Sequence, residues 1–378
     1  LEPVEVQTLL RREPAAEYTA IMKGMRSYAG RRHTLSDFIS HLTGVGIQVD
    51  RLSFPAELLL ELTRSCNLRC RHCYVSAGAA RKNELTTKEW ATIIESFASD
   101  GGIRVVFTGG EPLVHTGFLE LVRLAKAKNL GVSILTNGTL LDRAVSVLSG
   151  LLRPGVDLIQ VSLDGMRKEH DYIRGEGSFD RAVSGIRASV DAGLPVQVAA
   201  TVTPYNRRSI LDLYEFVANL GVSSFKISPG VPVGRLDSSV TYSAFLDLCA
   251  ALRERSERVG LPVAGCDLGS PISVDVKSLY TCKAGVSSAY VDSTGNVFPC
   301  PLFHGLKEFQ MGNLRRSSIR EVWSSPGWER LRRDLSQTMC ASCPLLPYCR
   351  GGCPFRAYLE HGTVNAPSPL CRWSLERS

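Results

Sequence analysis

The stretch Cys66-Asn67-Leu68-Arg69-Cys70-Arg71-His72-Cys73-Tyr74 directly follows the apolar run Leu58-Leu59-Leu60-Glu61-Leu62. Three thiols with three and then two residues between them, on a loop leaving a buried strand, can converge on one metal centre. No protein ligand for a fourth position stands nearby. An iron of a [4Fe-4S] cluster left without a cysteine can bind a small molecule through nitrogen and oxygen, whereas a closed zinc site cannot. A structural zinc knuckle with its fourth ligand elsewhere is the competing reading of the triplet.

Composition bounds what surrounds this stretch. A chain of 378 residues suggests a barrel-sized unit with smaller additions. Hydrophobic residues make up 44%, enough for a sizeable core, and no apolar run reaches the length of a bilayer span. The start of the sequence lacks the basic, apolar and small-residue pattern of a secretion signal. Twelve cysteines in clustered, metal-like spacings therefore argue for thiolate ligands in a reducing compartment, and the cytoplasm is expected. The net charge of +7 comes from scattered residues and reads as a solvated surface, with affinity for an acidic partner as the alternative. Neither a nucleic-acid nor a membrane partner is expected.

Residues 1–57 read as a helical extension of mixed polarity, with candidate helices over 16–28 and 35–42. From Leu58 onward, short apolar runs alternate with helix-period segments, as in βα units around a parallel sheet. The candidate strands are Leu58–Leu62, Arg104–Phe107, Val132–Leu135, Leu158–Leu163, Val196–Val202 and Ser224–Ile227. Thr86 followed by Glu89 predicts a capping box. Trp90, Ile93, Ile94 and Phe97 then predict one buried helix face, and Phe179, Val183, Ile186 and Val190 another. Six units predict an α/β fold, a partial (β/α)6 barrel over 58–235, with ligands at the C-terminal strand ends.

Candidate motifs fall at those ends. The second strand closes on Thr108-Gly109-Gly110-Glu111-Pro112, where glycines allow close backbone approach and Glu111 offers an acceptor for an ammonium group. The third ends in Thr136-Asn137-Gly138 and the fourth in Ser162-Leu163-Asp164-Gly165. Taken singly, these read equally well as Asx or Ser turns. Thr201 and Thr203 end the fifth. His72 and His115 sit inside motifs but form no convincing ligand pair, and both read as non-catalytic.

Residues 236–281 form a bridging segment. Within it Cys249 lies on a helical stripe and reads as a small buried apolar residue, while Cys266 sits in a turn-like segment with less packing reason for a thiol. The last hundred residues carry seven further cysteines, Cys282, Cys300, Cys340, Cys343, Cys349, Cys353 and Cys371, with Gly295 ahead of Cys300. A pair of structural zinc sites is the plain alternative for this region.

The Cys66–Cys70–Cys73 triplet with its aromatic Tyr74 resembles the motif of radical S-adenosylmethionine (SAM) enzymes, and the 109–112 turn resembles their glycine-glycine-glutamate-proline motif. The seven later cysteines resemble the SPASM extension, over 282–378, which houses two auxiliary [4Fe-4S] clusters. The resemblance covers roughly residues 58–378 and implies three clusters, with SAM bound to the first.

Carried over residue by residue, Cys66, Cys70 and Cys73 hold the first cluster. Cys282, Cys300 and Cys353 hold one auxiliary cluster, completed by Cys266 or left with an open iron, and Cys340, Cys343, Cys349 and Cys371 hold the other. Crossed ligation of this kind would staple segments with little apolar core. Tyr74, Gly109, Gly110, Glu111, Asn137, Ser162 and Arg174 are the implied SAM contacts, with Arg174 aimed at the SAM carboxylate. The implied chemistry is reductive cleavage of SAM to a 5′-deoxyadenosyl radical that abstracts hydrogen from substrate.

Members with a complete seven-cysteine extension mostly act on peptides, so the expected function is oxidative modification of a precursor peptide, such as a thioether or carbon–carbon crosslink. A flavodoxin or ferredoxin is the expected electron donor, and residues 1–57 could be a remnant of a leader-peptide-binding segment. A radical dehydrogenase or tetrapyrrole-modifying enzyme is the alternative. A sulfatase-maturing role fits less well, because Cys282 lacks a second cysteine shortly after it. An iron-sulfur electron carrier or zinc-stapled binding protein is the non-enzymatic alternative.

Overall fold

The computed structural model describes residues 51–265, 282–331, 333–343, 346–369 and 371. The helices expected over 16–28 and 35–42, and Cys266, lie outside the described residues.

The six expected strands form, each within two residues of its expected ends: β1 (Glu57–Glu61), β2 (Arg104–Thr108), β3 (Gly131–Thr136), β4 (Leu158–Ser162), β5 (Val196–Val202) and β6 (Ser224–Pro229). They lie in sequential order and pair in parallel. Between them run the helices α1 (Thr87–Ser99), α2 (Phe118–Ala127), α3 (Val145–Leu148), α4 (Arg167–Arg174), α5 (Ser178–Asp191) and α6 (Ile210–Ala218). Thr86 and Glu89 close the expected capping box at the start of α1. Its apolar face, Trp90, Ile93, Ile94 and Phe97, is buried as the 3.6-residue period requires. On α5, Phe179, Val183 and Ile186 are buried, with Val190 packed at the margin of the same core.

The sheet does not stop at six strands. After α7 (Tyr242–Val259), on which Cys249 is buried as expected, the short β7 (Val263–Ala264) extends it beyond β6. On the opposite edge β8 (Ser288–Val291) runs parallel beside β1, and β9 (Asn296–Phe298) and β10 (Gly312–Asn313) continue antiparallel. The region after Cys282 thus shares a ten-stranded sheet with the barrel.

That region also carries more apolar core than its sequence promised. Phe298, Phe303, Phe309, Trp323 and Trp328 are buried in the same cluster as the barrel residues, together with Phe355 of α10 (Pro354–His361). The short helices α8 (Ile319–Trp323) and α9 (Leu346–Cys349) precede α10. Among the described residues no helix is long and apolar enough to cross a membrane.

A buried polar knot fastens β1 to β8. Glu61 accepts from Arg64 Nε at 2.9 Å and from the Tyr290 hydroxyl, while Arg64 Nη1 donates to the Val75 carbonyl at 2.7 Å. Removing one partner of a buried ion pair strands the other. Arg64→Met should therefore cost about 3–5 kcal/mol in anaerobic chemical denaturation, and the double variant E61Q/R64M should recover part of that loss.

Candidate functional site

The C-terminal ends of the strands open into one cavity of about 580 Å³. Cys66, Cys70 and Cys73 line it from the loop after β1, Gly109 and Gly110 from the end of β2, Asn137 from the end of β3 and Ser162 from the end of β4. Tyr74 and Arg174 line it as well, and Tyr74 is 38% exposed.

The cavity extends past Thr201 to Cys282, Cys340, Cys343, Cys349, Cys353 and Cys371. Thiols nearly three hundred residues apart in sequence therefore share one space. Burial pushes the Cys66 thiol up to about 11, against the pull of the Leu68 amide. Cys70 is also raised by burial, with Arg174 working in the opposite direction. Cys66 and Cys70, both desolvated, cannot ionise together without cations or a metal centre to hold the charge.

The C-terminal thiols raise one another in two sets. Burial pushes Cys282 up to about 12, with Cys353 adding to the rise, and Cys300 is raised by burial, then by Cys282 and Cys353. Cys340 and Cys349 are each raised by burial and then by Cys371. Cys343 also acts on Cys340. Among the described residues no three His, Cys, Asp or Glu side chains approach closely enough to hold a single metal ion.

Two of the expected contact residues also hold places in the framework of the protein. Glu111, expected to meet an ammonium group in the cavity, is 0% exposed and does not line it. Its Oε1 accepts from Thr136 Oγ1 at 2.8 Å and its Oε2 from the Asn137 amide at 2.7 Å. Burial pushes its carboxyl up to about 7 even though these donors pull it down. Glu111 braces β2 against the end of β3. Arg174 does line the cavity, but its Nε pairs with Asp164 Oδ2 at 2.5 Å, and its Nη1 lies 3.9 Å from Cys70 Sγ.

The glycines also serve a contact other than the one expected. The Gly110 amide donates to the Thr63 carbonyl at 2.7 Å. A Cβ on Gly110 would lie 2.3 Å from the Ser65 carbonyl oxygen, and one on Gly109 would lie 2.6 Å from that of Thr63. The close approach is to the backbone leading into the cysteine loop. Asn137 supports the same loop from the far side, donating to Asn67 Oδ1 at 2.9 Å with Cys66 Sγ at 4.0 Å.

Asp164 is the residue whose role the sequence reading missed. Fully buried, its Oδ2 receives His72 at 2.7 Å and Arg174, while its Oδ1 receives the Thr201 amide at 2.9 Å. Burial works against its charge, yet Arg174 and His72 hold its carboxyl well below the usual carboxylate range. His72 thereby links the cysteine loop to the end of β4.

Arg235 was also missed. It donates to the Cys70 carbonyl at 2.7 Å and to that of Ala77 at 2.9 Å, and its buried Nη2 has no partner among the described residues. An open guanidinium donor beside buried thiols fits an anionic cluster or a ligand carboxylate. The only local hint is Gly234, whose left-handed backbone packs against the Cys73 and Tyr74 carbonyls. Lys226 and Arg356 line the cavity too, from β6 and α10.

Gly110→Ala should displace the cysteine loop at a cost of about 1–3 kcal/mol and lower the iron and sulfide content of the anaerobically reconstituted protein. Gly78→Ala, on the same loop but where an added methyl would meet nothing within 4 Å, should leave both unchanged.

Two family models match the chain: the radical SAM superfamily over residues 60–217 and the SPASM iron-sulfur cluster-binding domain over 282–344. The AdoMet-dependent heme synthase of Oleidesulfovibrio alaskensis is 30% identical over 83% of this chain and 86% of its own. The mycofactocin maturase MftC of Mycobacterium tuberculosis is 32% identical over 85% of this chain and 83% of its own. Streptococcus suis SuiB, solved with its precursor peptide SuiA, superposes with a TM-score of 0.74 at 19% identity, covering 94% of this chain and 88% of that one, a likeness of fold. With both motifs at the ends of the right strands and such relatives along most of its length, the chain belongs to the radical SAM superfamily, as an S-adenosylmethionine-dependent iron-sulfur enzyme with a C-terminal SPASM domain.

Proposed function

We propose that this enzyme oxidatively modifies a peptide, forming a crosslink or removing hydrogen at an unactivated carbon. The observation that carries the reading is the single cavity running from the first cysteine trio to both C-terminal thiol groups. Its volume falls in the range of ligand pockets and it stays open to thiols on either side. The names of relatives such as MftC, and the precursor peptide bound by SuiB, support a peptide occupant.

In this reading Cys66, Cys70 and Cys73 hold the cluster that binds SAM. Cys282, Cys300 and Cys353 hold one auxiliary cluster, and Cys340, Cys343, Cys349 and Cys371 hold the other. With SAM, the first cluster supplies reductive cleavage of a carbon–sulfur bond and the hydrogen abstraction that follows. Arg174 and Arg235 provide fixed positive charge beside the thiolates. Asp164 holds Arg174 and His72 in place, and Asn137 holds the loop. The Gly109 and Gly110 backbone, Ser162 and Tyr74 are the SAM-facing groups. Functionally the chain divides into a SAM-cleaving barrel over 58–235, a bridge over 236–281 and an auxiliary-cluster domain over 282–378, with 1–57 a candidate leader-binding remnant. A flavodoxin or ferredoxin in the cytoplasm supplies the electron.

A tetrapyrrole substrate is the second reading. The heme synthase relatives favour it, and so do Lys226 and Arg356, cations facing a cavity suited to a flat apolar ligand bearing carboxylates.

Serine at position 66, 70 or 73 should reduce 5′-deoxyadenosine formation from SAM and reductant to background, while Cys249→Ser, in the core of α7, should not. Incubation with candidate precursor peptides should give a product lighter by two hydrogens in mass spectrometry. Unchanged peptides together with turnover of a carboxylated porphyrin would establish the second reading instead.

A further inference from the structure

The loop that carries the first three cysteines has two chemically different faces. Leu68, Cys70 and His72 line the cavity, whereas Arg69 and Arg71, the residues between them, are exposed and do not line it. The outer face continues onto α4. The Arg71 amide donates to the Ile173 carbonyl at 2.8 Å, and its Nε to that of Tyr172 at 2.9 Å. Its guanidinium stacks 4.4 Å from the Tyr172 ring centroid. Tyr172 packs in turn on Tyr205, with centroids 5.4 Å apart, yet the two rings remain 50% and 40% exposed.

Around this aromatic pair the surface is basic. Arg69 and Arg71 lie on one side, Arg207 and Arg208 follow Tyr205, and Lys168 stands one helical turn before Tyr172; all five are exposed. None forms an ion pair among the described residues, although the protein pairs other surface arginines with carboxylates, such as Arg315 with Glu89 and Arg320 with Asp100. Of the nearby acids, Glu169 is half-buried beside Gly165, Glu176 is exposed, Asp164 is buried against Arg174, and Asp171 is engaged by the Gly177 and Phe179 amides. Large, rigid side chains with unpaired charge beside them have the make-up of a protein contact surface.

We propose that this patch docks an acidic, low-potential one-electron carrier of the flavodoxin or ferredoxin type. The inference rests on the radical SAM reading above and deepens it by naming where the electron enters. SAM and substrate occupy the inner face of the cysteine loop, so a protein donor must reach the cluster from the outer one. There Arg69 and Arg71, the neighbours of Cys70 in the loop, are exposed. The donor is oxidised by one electron, the cluster is reduced by one, and no covalent bond is made or broken. Electron-transfer encounters of this kind bury less than about 1,200 Å² and are steered by charge. A basic rim around exposed tyrosines meets both conditions.

The test compares a reduced flavodoxin with dithionite, a small reductant that needs no docking surface, on the anaerobically reconstituted enzyme. Cluster bleaching is followed by stopped flow and flavodoxin binding by titration, at low salt and at about 0.15 M, where charges more than about 8 Å apart are screened. R69E/R71E and, separately, R207E/R208E should each weaken flavodoxin binding and slow flavodoxin-driven bleaching about tenfold, leaving dithionite-driven bleaching and 5′-deoxyadenosine formation unchanged. The second pair lies off the cysteine loop and decides the matter if the first disturbs the cluster.

Flavodoxin binding that is independent of salt and of all four arginines would overturn the proposal. So would a loss in R207E/R208E that dithionite shares. An enzyme that cannot cleave SAM with dithionite would defeat the underlying reading alone, because binding and bleaching by flavodoxin would still report on the patch.

Discussion

Asp164 is a carboxylate with no access to water, held ionised by the Arg174 guanidinium and hydrogen-bonded to His72, from different parts of the chain. It ties the cysteine loop, through His72, to α4, through Arg174, and to β5, through the Thr201 amide. An isolated buried charge would cost several kcal/mol, so each partner has little freedom to leave. The same constraint keeps Arg174 beside Cys70, where its charge is useful to a buried thiolate. The position of the thiols in the cavity thus follows from compensating one buried negative charge.

Around that hub the cysteine loop is gripped by backbone rather than by apolar packing. Gly109 and Gly110 leave no room for a side chain between β2 and residues 63–65, and Glu111 spends its carboxylate on the end of β3. Glu111 therefore shapes the site from behind its lining, while the Gly109 and Gly110 backbone lines the cavity itself. Rigid support of this kind suits a centre that must hold its ligands while charge moves through it.

The C-terminal region is bound to the barrel in three independent ways. β8 pairs with β1, Arg64 and Glu61 meet Tyr290, and the aromatic cluster around Phe303 and Trp328 continues the barrel core. Arg333 adds a local clasp, donating to carbonyls at Arg350, Gly352 and Val364 among the thiols of both auxiliary groups. Auxiliary clusters would therefore sit in a region already folded against the barrel, with their distance from the SAM site set by the sheet.

The sequence by itself determined the elements whose causes are local. The alternation of β-rich runs with helix-period segments located six strands, Thr86 and Glu89 marked a helix start, and Cys249 revealed its burial by its place on an apolar stripe. Cysteine spacing marked the loop triplet as a candidate ligand set, and resemblance to the SPASM extension implied the division of the seven later cysteines. Only the tertiary structure decided the partners of Asp164, the open donor of Arg235, the inward turn of Glu111 and the joining of β8 to β1. Each of these depends on segments tens to hundreds of residues apart, and a buried charge or a strand edge leaves no periodic trace of the partner that satisfies it.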